Sequence, residues 1–328
     1  MNMMDVSVII PNYNGAQYIN KCIESIYEQV KHKKNIIVVD NHSSDNSIAE
    51  INKTFSDITI VANDKNVGFA AAVNIGIMLC DTEYVILLNN DAFVRSDFIR
   101  PLYEMINSDK SIFSVSSKML QYSNPSLIDD AGDHFTLMGW AYKAGDGDRS
   151  EQHNKEKVIF SSCAGAAIYR RNVFEEMGYF DEKFFAYLED VDIGFRANLF
   201  GYRNVYCPQA EVLHIGSATS GSVKHSEFKV RISSRNNVYL IVKNLPLILL
   251  IIHFPLYLIG FIIKLCYFIR LGYGKPYLLG LLEGIKNIHS VRRVKFRLKN
   301  IRGYIRAEYL MCKATFYFFS NKMYRFLR

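Results

Sequence analysis

The chain has 328 residues, 49% of them hydrophobic and 22% charged, with a formal charge of +7; this composition supports a substantial buried core and excludes collagenous, disulfide-framework and disordered classes. Its cysteines, Cys22, Cys80, Cys163, Cys207, Cys266 and Cys312, form no C-x-x-C pair, which excludes a zinc knuckle or thioredoxin-like motif and suits a reducing compartment. The charge is uneven: residues 1–244 carry 24 Lys/Arg against 30 Asp/Glu, and residues 245–328 carry 15 against 2, so the two parts face different partners.

The opening "MNMMDVSVIIPNYNG" has an acid ahead of a short apolar run and reads as a first strand over 6–13, not as a signal peptide. Tyr18, Cys22, Ile23, Ile26 and Tyr27 recur at helical spacing and predict a helix within 16–30. A buried strand in 34–45 stops at Asp40, followed by a helix over 46–54, a strand over 58–63, a small-residue helix over 68–80 and a strand over 84–92. Strands alternating with helices predict a parallel, doubly wound α/β sheet, whose ligands bind beyond the carboxyl ends of its strands. The polar residues Asn12 and Tyr13, Asp40, Asn63 to Asn66 and Asn89 to Asp91 fall there. The first turn, "PNYNGAQY", has one glycine, which excludes the G-x-G-x-x-G of a dinucleotide-binding dehydrogenase.

Each candidate has two readings. Asp40 is either an acceptor for a nucleobase imide or ribose hydroxyl, or a strand-end turn carboxylate. Asp91 either caps the next helix or binds a hard divalent cation together with substrate phosphates. Trp140, in the Gly/Asp-rich "DHFTLMGWAYKAGDGD", is either an acceptor-side ring or a packed core residue. "AYLEDVDIGFRANLFGYR" crowds Glu189, Asp190 and Asp192 among aromatics. Such crowding calls for a shifted pKa, a cation partner or a chemical role, unless the acids only favour a helix dipole. Asp192 is two residues from Asp190 and so roughly opposite it on a helix; Arg196, four residues on, is its expected partner. His214 follows a strand and precedes "GSATSGSV" (216–223), a segment that either closes over a ligand or only links.

"RNNVYLIVKN" (235–244) leads into "LPLILLIIHFPLYLIGFII" (245–263), about the length of a bilayer span. His253, Pro246 and Pro255 weaken a simple span. So does the basic "VRRVKFRLKNIRGYIR", which the positive-inside rule keeps on the same cytoplasmic side as the N-terminal part. The expected form is a monotopic anchor, either a re-entrant hairpin broken near Pro255 or helices lying in the interface, with the basic tail on anionic headgroups. The neighbouring apolar stretch favours a membrane over nucleic acid as the partner of that tail.

In this order along residues 5–243, "VSVIIPNYNG", "VVDNHSSDNS", "NVGFAAAVNIG", "LLNNDA", "GAAIYRRNVFEEMGYFDEKFFAYLEDVDIGFRANLFGYR" and "HIGSATSG" resemble the inverting, GT-A fold glycosyltransferases of family 2, especially the rhamnosyltransferase-like branch. The resemblance implies a Rossmann-like transferase domain over 1–243 and a helical membrane-associating region over 244–328. It implies that Pro11, Asn12 and Tyr13 line the base and ribose pocket, that Asp40 contacts the base, and that Asn66, Gly68 and Phe69 form the wall beside the nucleotide. Asn89-Asn90-Asp91 stands where the family has D-x-D, so Asp91 would hold metal and diphosphate; Asn89 replaces the first acid. Asp190 matches the catalytic base, His214 a metal-site histidine, and Arg235 a cation for the phosphates. Glu189 would bind an acceptor hydroxyl or tune Asp190, and Trp140 would face the acceptor. The implied cofactor is Mg²⁺ or Mn²⁺. The implied partners are a nucleotide-diphospho-sugar donor, a lipid-linked saccharide acceptor and an anionic membrane surface at the cytoplasmic face, with a homo-oligomer compatible and nucleic acid excluded. Rhamnose from deoxythymidine-diphosphate-rhamnose leads among donors, with uridine-diphosphate sugars open. A non-catalytic membrane scaffold and a sugar-phosphate hydrolase are the competing classes.

Overall fold

The apolar runs of the first half form the expected strands. In the computed structural model, which describes residues 4–216 and 225–326 and side chains through 320, β1 (Ser7–Asn12), β2 (Ile36–Asp40), β3 (Thr59–Ala62) and β4 (Tyr84–Leu88) lie parallel in the order 3-2-1-4. Helices α1 (Ile19–Tyr27), α2 (Ser47–Thr54) and α3 (Phe69–Leu79) connect them. Alternate side chains point to opposite faces: Val8, Ile10, Ile36 and Val38 pack with α1 and Ile51 of α2, whereas Ile9, Ile37, Val39 and Leu87 pack on α3. Burial on both faces explains why β1, β2 and β4 are almost continuously apolar. Small residues let α3 approach closely, since a Cβ at Gly76 would lie 2.4 Å from Ile9 Cγ2.

Beyond β4 the chain continues through β5 (Ala92–Val94), α4 (Ile99–Ser108), β6 (Ile112–Gln121), β7 (Asn124–Asp130), β8 (Asp133–Phe135), β9 (Ala141–Lys143), β10 (Lys157–Ile159), β11 (Ala166–Arg170), α5 (Arg171–Met177), α6 (Glu189–Phe200) and β12 (Arg203–His214). The sheet order is β10-β12-β6-β11-β4-β1-β2-β3, with β5 on β12 and β7 on β6. The parallel pairing expected of the first half holds for β1 to β4 but does not extend to the whole sheet. β11 runs antiparallel to both β4 and β6, so the sheet is mixed. From β6 to β11 strands follow one another without α-helices between them, and no crossover helix enforces parallel pairing.

The C-terminal part is helical: α7 (Glu227–Asn244), α8 (Leu247–Arg270), α9 (Gly274–Lys286) and α10 (Ile301–Phe326). Tyr304, Ala307 and Met311 of α10 pack with Phe195 and Leu199 of α6 and with Phe135 and Phe160. The expected break near Pro255 does not occur, and α8 runs through it as one 24-residue helix. A proline removes one backbone N–H donor and bends a helix more readily than it ends one when the flanking turns are strongly apolar. Ile248, Ile251 and Phe254 are each more than half exposed. Among the described residues, α8 is the one helix long and apolar enough to cross a membrane. The 216–223 segment lies, beyond Gly216, outside the described residues.

Candidate active site

The parallel register sets Asn12 beside Asp40 at the carboxyl ends of β1 and β2. Asn12 is buried; its Nδ2 donates to Asp40 Oδ1 at 2.8 Å and to Ser47 Oγ at 2.9 Å, and its Oδ1 accepts from Asn90 Nδ2 at 2.8 Å. Asp40 Oδ2 also accepts the Ser43 N–H at 2.9 Å, so much of this carboxylate organises the turn after β2. Gly15 makes the junction possible, because a Cβ there would lie 2.2 Å from both Asn12 Oδ1 and Asn90 Nδ2. Pro11 is the strand's penultimate residue, and Tyr13 follows the strand half-exposed. The N-terminus of α3 is tied to this edge. Asn66 Oδ1 accepts the Gly68 N–H at 2.9 Å, and Asn41 Nδ2 donates to Gly68 O at 3.1 Å. Phe69, half-buried, begins the helix.

Asn89, Asn90 and Asp91 form the bend between β4 and β5. Antiparallel pairing of β5 with β12 sets His214 opposite Ala92, so a residue over 120 positions away arrives beside Asp91. His214 Nε2 lies 3.3 Å from Asp91 Oδ1, and its Nδ1 lies 2.8 Å from Asp129 Oδ2. Lys143 Nζ also reaches Asp129 Oδ2, at 2.9 Å, and Asn89 Nδ2 lies 3.4 Å from His214 Nε2. Burial alone would lower the histidine pKa, but Asp129 and Asp91 outweigh it and raise it to about 9. Burial raises Asp129 in turn, and His214 and Lys143 outweigh that, holding it well below the usual carboxylate range.

The carboxylate helix is launched by a strained loop. Phe185, Tyr187 and Leu188 have φ of 63°, 71° and 68°, a region that side-chain-bearing residues enter at a cost and that clusters at functional sites. Asn236 holds the loop, donating from Nδ2 to the carbonyls of Phe184, Ala186 and Tyr187 at 2.8, 2.9 and 2.7 Å. Gly68 presses on it from the other side: a Cβ there would lie 2.6 Å from Phe185 O, and Ala70 N–H donates to that oxygen at 3.2 Å.

The three acids of the first turn of α6 then part company. Asp192 is fully buried; Arg196 Nε donates to it at 3.0 Å, and Lys243 Nζ and Asn244 Nδ2 each at 2.8 Å. Burial raises its pKa, but Arg196 and Lys243 more than offset this and leave it lowered. Asp190 is half-buried, with Oδ1 accepting the Val191 N–H at 2.8 Å and Oδ2 facing the Ala164 N–H at 3.4 Å. Burial raises its pKa against those amides and Lys143. Glu189 is buried, and its Oε2 has no hydrogen-bond partner among the described residues. Burial and the Asp190 charge push it well above the carboxylate range. Glu189 is thus withdrawn from solvent beside Asp190, which speaks against the expected contact with an acceptor hydroxyl.

Two expected site residues belong elsewhere. Trp140 is 6% exposed, donates from Nε1 to Gly260 O at 3.1 Å and packs edge-on against Phe318. Its rings lock the β8–β9 hairpin under α8 and α10, so the acceptor-facing expectation is corrected. The Arg235 guanidinium donates to the carbonyls of Lys183 and Phe184 at 3.1 and 3.0 Å and lies over Tyr239. It braces the strained loop rather than offering a charge to phosphates. The sequence reading missed Asp129, Lys143, Asn41 and Asn236. The paired acids of "LIDDAGD" were the available signal for Asp129; nothing local marked the others.

A sequence profile of glycosyl transferase family 2 matches residues 7–178. The chain is 25% identical over 256 residues to the N-acetylglucosaminyl-diphospho-decaprenol L-rhamnosyltransferase of Mycobacterium tuberculosis, covering 67% of this chain and 79% of that protein. It is 28% identical over 216 residues to the O-antigen chain rhamnosyltransferase RfbN of Salmonella typhimurium, covering 64% and 66%. Among solved structures, the mannosyltransferase PcManGT of Pyrobaculum calidifontis, in complex with GDP-Man and Mn²⁺, superposes with a TM-score of 0.53 at 15% identity, covering 93% of this chain and 87% of that one. The mixed sheet, parallel over β1 to β4, is the GT-A fold.

Proposed function

The chain belongs to glycosyl transferase family 2, and from that premise we propose an inverting transferase that moves rhamnose from deoxythymidine-diphosphate-rhamnose onto a lipid-linked saccharide in surface-polysaccharide synthesis. Rhamnosyltransferases among its relatives support the sugar, and the decaprenol-linked substrate named for the mycobacterial protein supports the acceptor class. Residues 1–243 would be the catalytic domain. Residues 244–328 would hold it on the cytoplasmic membrane face, through the exposed apolar side of α8 and the basic segment that follows α9.

The observation that carries the reading is the Asp91–His214–Asp129 chain at the carboxyl edge of the sheet. Two ligand atoms 3.3 Å apart, with a carboxylate fixing the far nitrogen of the imidazole, form the donor set and second shell of a divalent-cation site. Mg²⁺ or Mn²⁺ would be held there by Asp91 and His214, with Asn89 standing in place of the usual acid. When bound, the cation offsets the charge of the diphosphate leaving group.

The rest falls to the chain's own groups. Asn12, Asp40 and Asn41 shape the floor of the nucleotide pocket, and Asn66 to Phe69 its side. An inverting transfer needs one base at the acceptor hydroxyl and no enzyme nucleophile. Asp190 fills that role: its raised pKa improves it as a proton acceptor, and the two backbone amides fix its direction. Behind it, burial and the neighbouring Asp190 disfavour a charge on Glu189.

The test is a donor panel. Detergent-purified protein with Mg²⁺ or Mn²⁺ is offered thymidine- and uridine-diphosphate sugars, with and without a polyprenyl-linked saccharide, and nucleoside diphosphate release is followed. Acceptor-stimulated, cation-dependent release from deoxythymidine-diphosphate-rhamnose is expected. Asp190→Asn should lower kcat by roughly 10²–10⁴-fold with nucleotide binding retained. Release from a uridine-diphosphate sugar alone would reassign the donor. Release from none of them by protein that binds nucleotide would favour a non-catalytic scaffold.

A further inference from the structure

We propose that Asp130, Asp133 and Cys163 form a second cation site, for a borderline transition-metal dication of the Zn²⁺ or Co²⁺ kind, distinct from Asp91 and His214. One oxygen of each carboxylate and the Cys163 sulfur lie within 4.8 Å of one another. That spacing brings them within reach of one ion after small side-chain adjustments, given metal–oxygen and metal–sulfur bonds of about 2.0–2.3 Å.

Asp130 supplies the observation that points to a ligand. It is fully buried, and its Oδ1 is fixed by the Gly132 N–H at 2.6 Å. Its Oδ2 is also buried and has no hydrogen-bond partner among the described residues. A buried carboxylate oxygen without a donor is costly unless something else meets it. Asp133 is 7% exposed, so both acids are withdrawn from water. Lys143 lies nearby, and its ammonium is engaged by Asp129. A dication would supply the counter-charge that two buried carboxylates need to stay ionised here.

The donor set selects the class of ion. Two carboxylates alone would suit Mg²⁺ or Ca²⁺, but a thiol in the set favours a softer, borderline ion. Binding would deprotonate the Cys163 thiol outright. The site is separate from the Asp91 pair because consecutive residues at a strand end face different ways. Asp129 turns to His214 and Lys143, whereas Asp130 joins Asp133 and Cys163.

The place of the site gives it a consequence. Asp133 N–H donates to Ser161 O at 3.0 Å, and Cys163 immediately precedes Ala164, whose N–H faces Asp190 Oδ2. An ion here cross-links the 130–133 turn to the segment that positions Asp190.

The test reads the ion directly, without donor or acceptor, so it stands apart from the outcome of any transfer assay. The full chain is titrated with Co²⁺ and the near-ultraviolet thiolate-to-cobalt charge-transfer band is followed, in a background where the exposed Cys266 and Cys312 are serine. One band-bearing ion per chain is expected, displaced by Zn²⁺. The band should be lost in Cys163→Ser, and affinity should fall by at least about tenfold in Asp130→Asn. It should persist in Asp91→Ala. Absence of the band in the parent protein overturns the proposal whatever the variants do, as does a band that survives Cys163→Ser or is abolished by Asp91→Ala.

Discussion

Asp190 and Asp192 sit two residues apart in one helical turn, yet only the replacement of Asp192 with asparagine should lower stability. Asp192 has no solvent exposure and accepts from Arg196, Lys243 and Asn244. Asp192→Asn leaves two buried cations short of their shared counter-ion. Breaking a buried ion pair from one side costs about 3–5 kcal/mol. Lys243 keeps Asp181 at 2.7 Å and Arg196 keeps the carbonyls of Met177, Gly178 and Tyr179, so about 3 kcal/mol is expected. Asp190 is the reverse case. Its pKa is raised by burial, so the folded state disfavours its charge, and Asp190→Asn should leave stability at neutral pH unchanged or higher. The pH dependence separates the two. A carboxylate lowered in the fold stabilises fully above its unfolded pKa of about 3.9 and loses that contribution only as pH falls through the folded value. The gap between parent and Asp192→Asn should therefore hold constant from neutral pH down to about pH 4 and close below it. Urea denaturation of the detergent-solubilised protein across that range measures it. A loss under about 1 kcal/mol, or a gap that already closes between pH 7 and 5, would refute the assignment of Asp192 as the pin between α6 and α7.

Gly68→Ala should cut kcat and leave nucleotide affinity nearly intact. At φ 85° the new methyl is strained by roughly 1–3 kcal/mol, and it meets Phe185 at 2.5 Å, displacing the loop that launches Asp190; steady-state kinetics beside nucleotide titration checks the split. Trp140→Ala should lower the unfolding midpoint, with a loss of about 3–5 kcal/mol, and leave the acceptor KM unchanged at temperatures where the variant is folded. The chain should bind vesicles of anionic lipid more tightly than neutral ones, in a salt-sensitive manner. Replacing the exposed Lys295, Arg297 and Lys299 with alanine should weaken that binding by up to about 3 kcal/mol, measured by flotation.

Which of these residues could be read from the sequence follows from how far away their partners lie. Asn12, Asp40 and Asn89 to Asp91 were legible because each ends a doubly buried strand, and a strand's end in an α/β sheet is a position on the binding edge whatever surrounds it. The mixed sheet was not legible, since neither the short β11 nor its neighbours carry a local sign of direction; only the missing crossover helices do. Trp140 was misjudged for a related reason. An aromatic in a Gly/Asp-rich segment looks exposed until α8, 120 residues later, brings the Gly260 carbonyl to its indole nitrogen. Asp129 was passed over because its partner, His214, is 85 residues away.

The acids of α6 show the same limit within a single turn. "EDVD" offers three carboxylates with nearly identical local surroundings, and helix-dipole arguments treat them alike. Their different fates come from groups on other elements. Lys243 and Asn244 of α7 join Arg196 in claiming Asp192, the Ala164 amide orients Asp190, and no described donor reaches Glu189 Oε2. A half-buried carboxylate held by backbone amides, a buried ion-paired anion and a buried acid are thus made from one motif by what the sheet and α7 bring to it. For that reason Asn236, which fixes the loop ahead of that turn, should matter to catalysis as much as the acids that follow it.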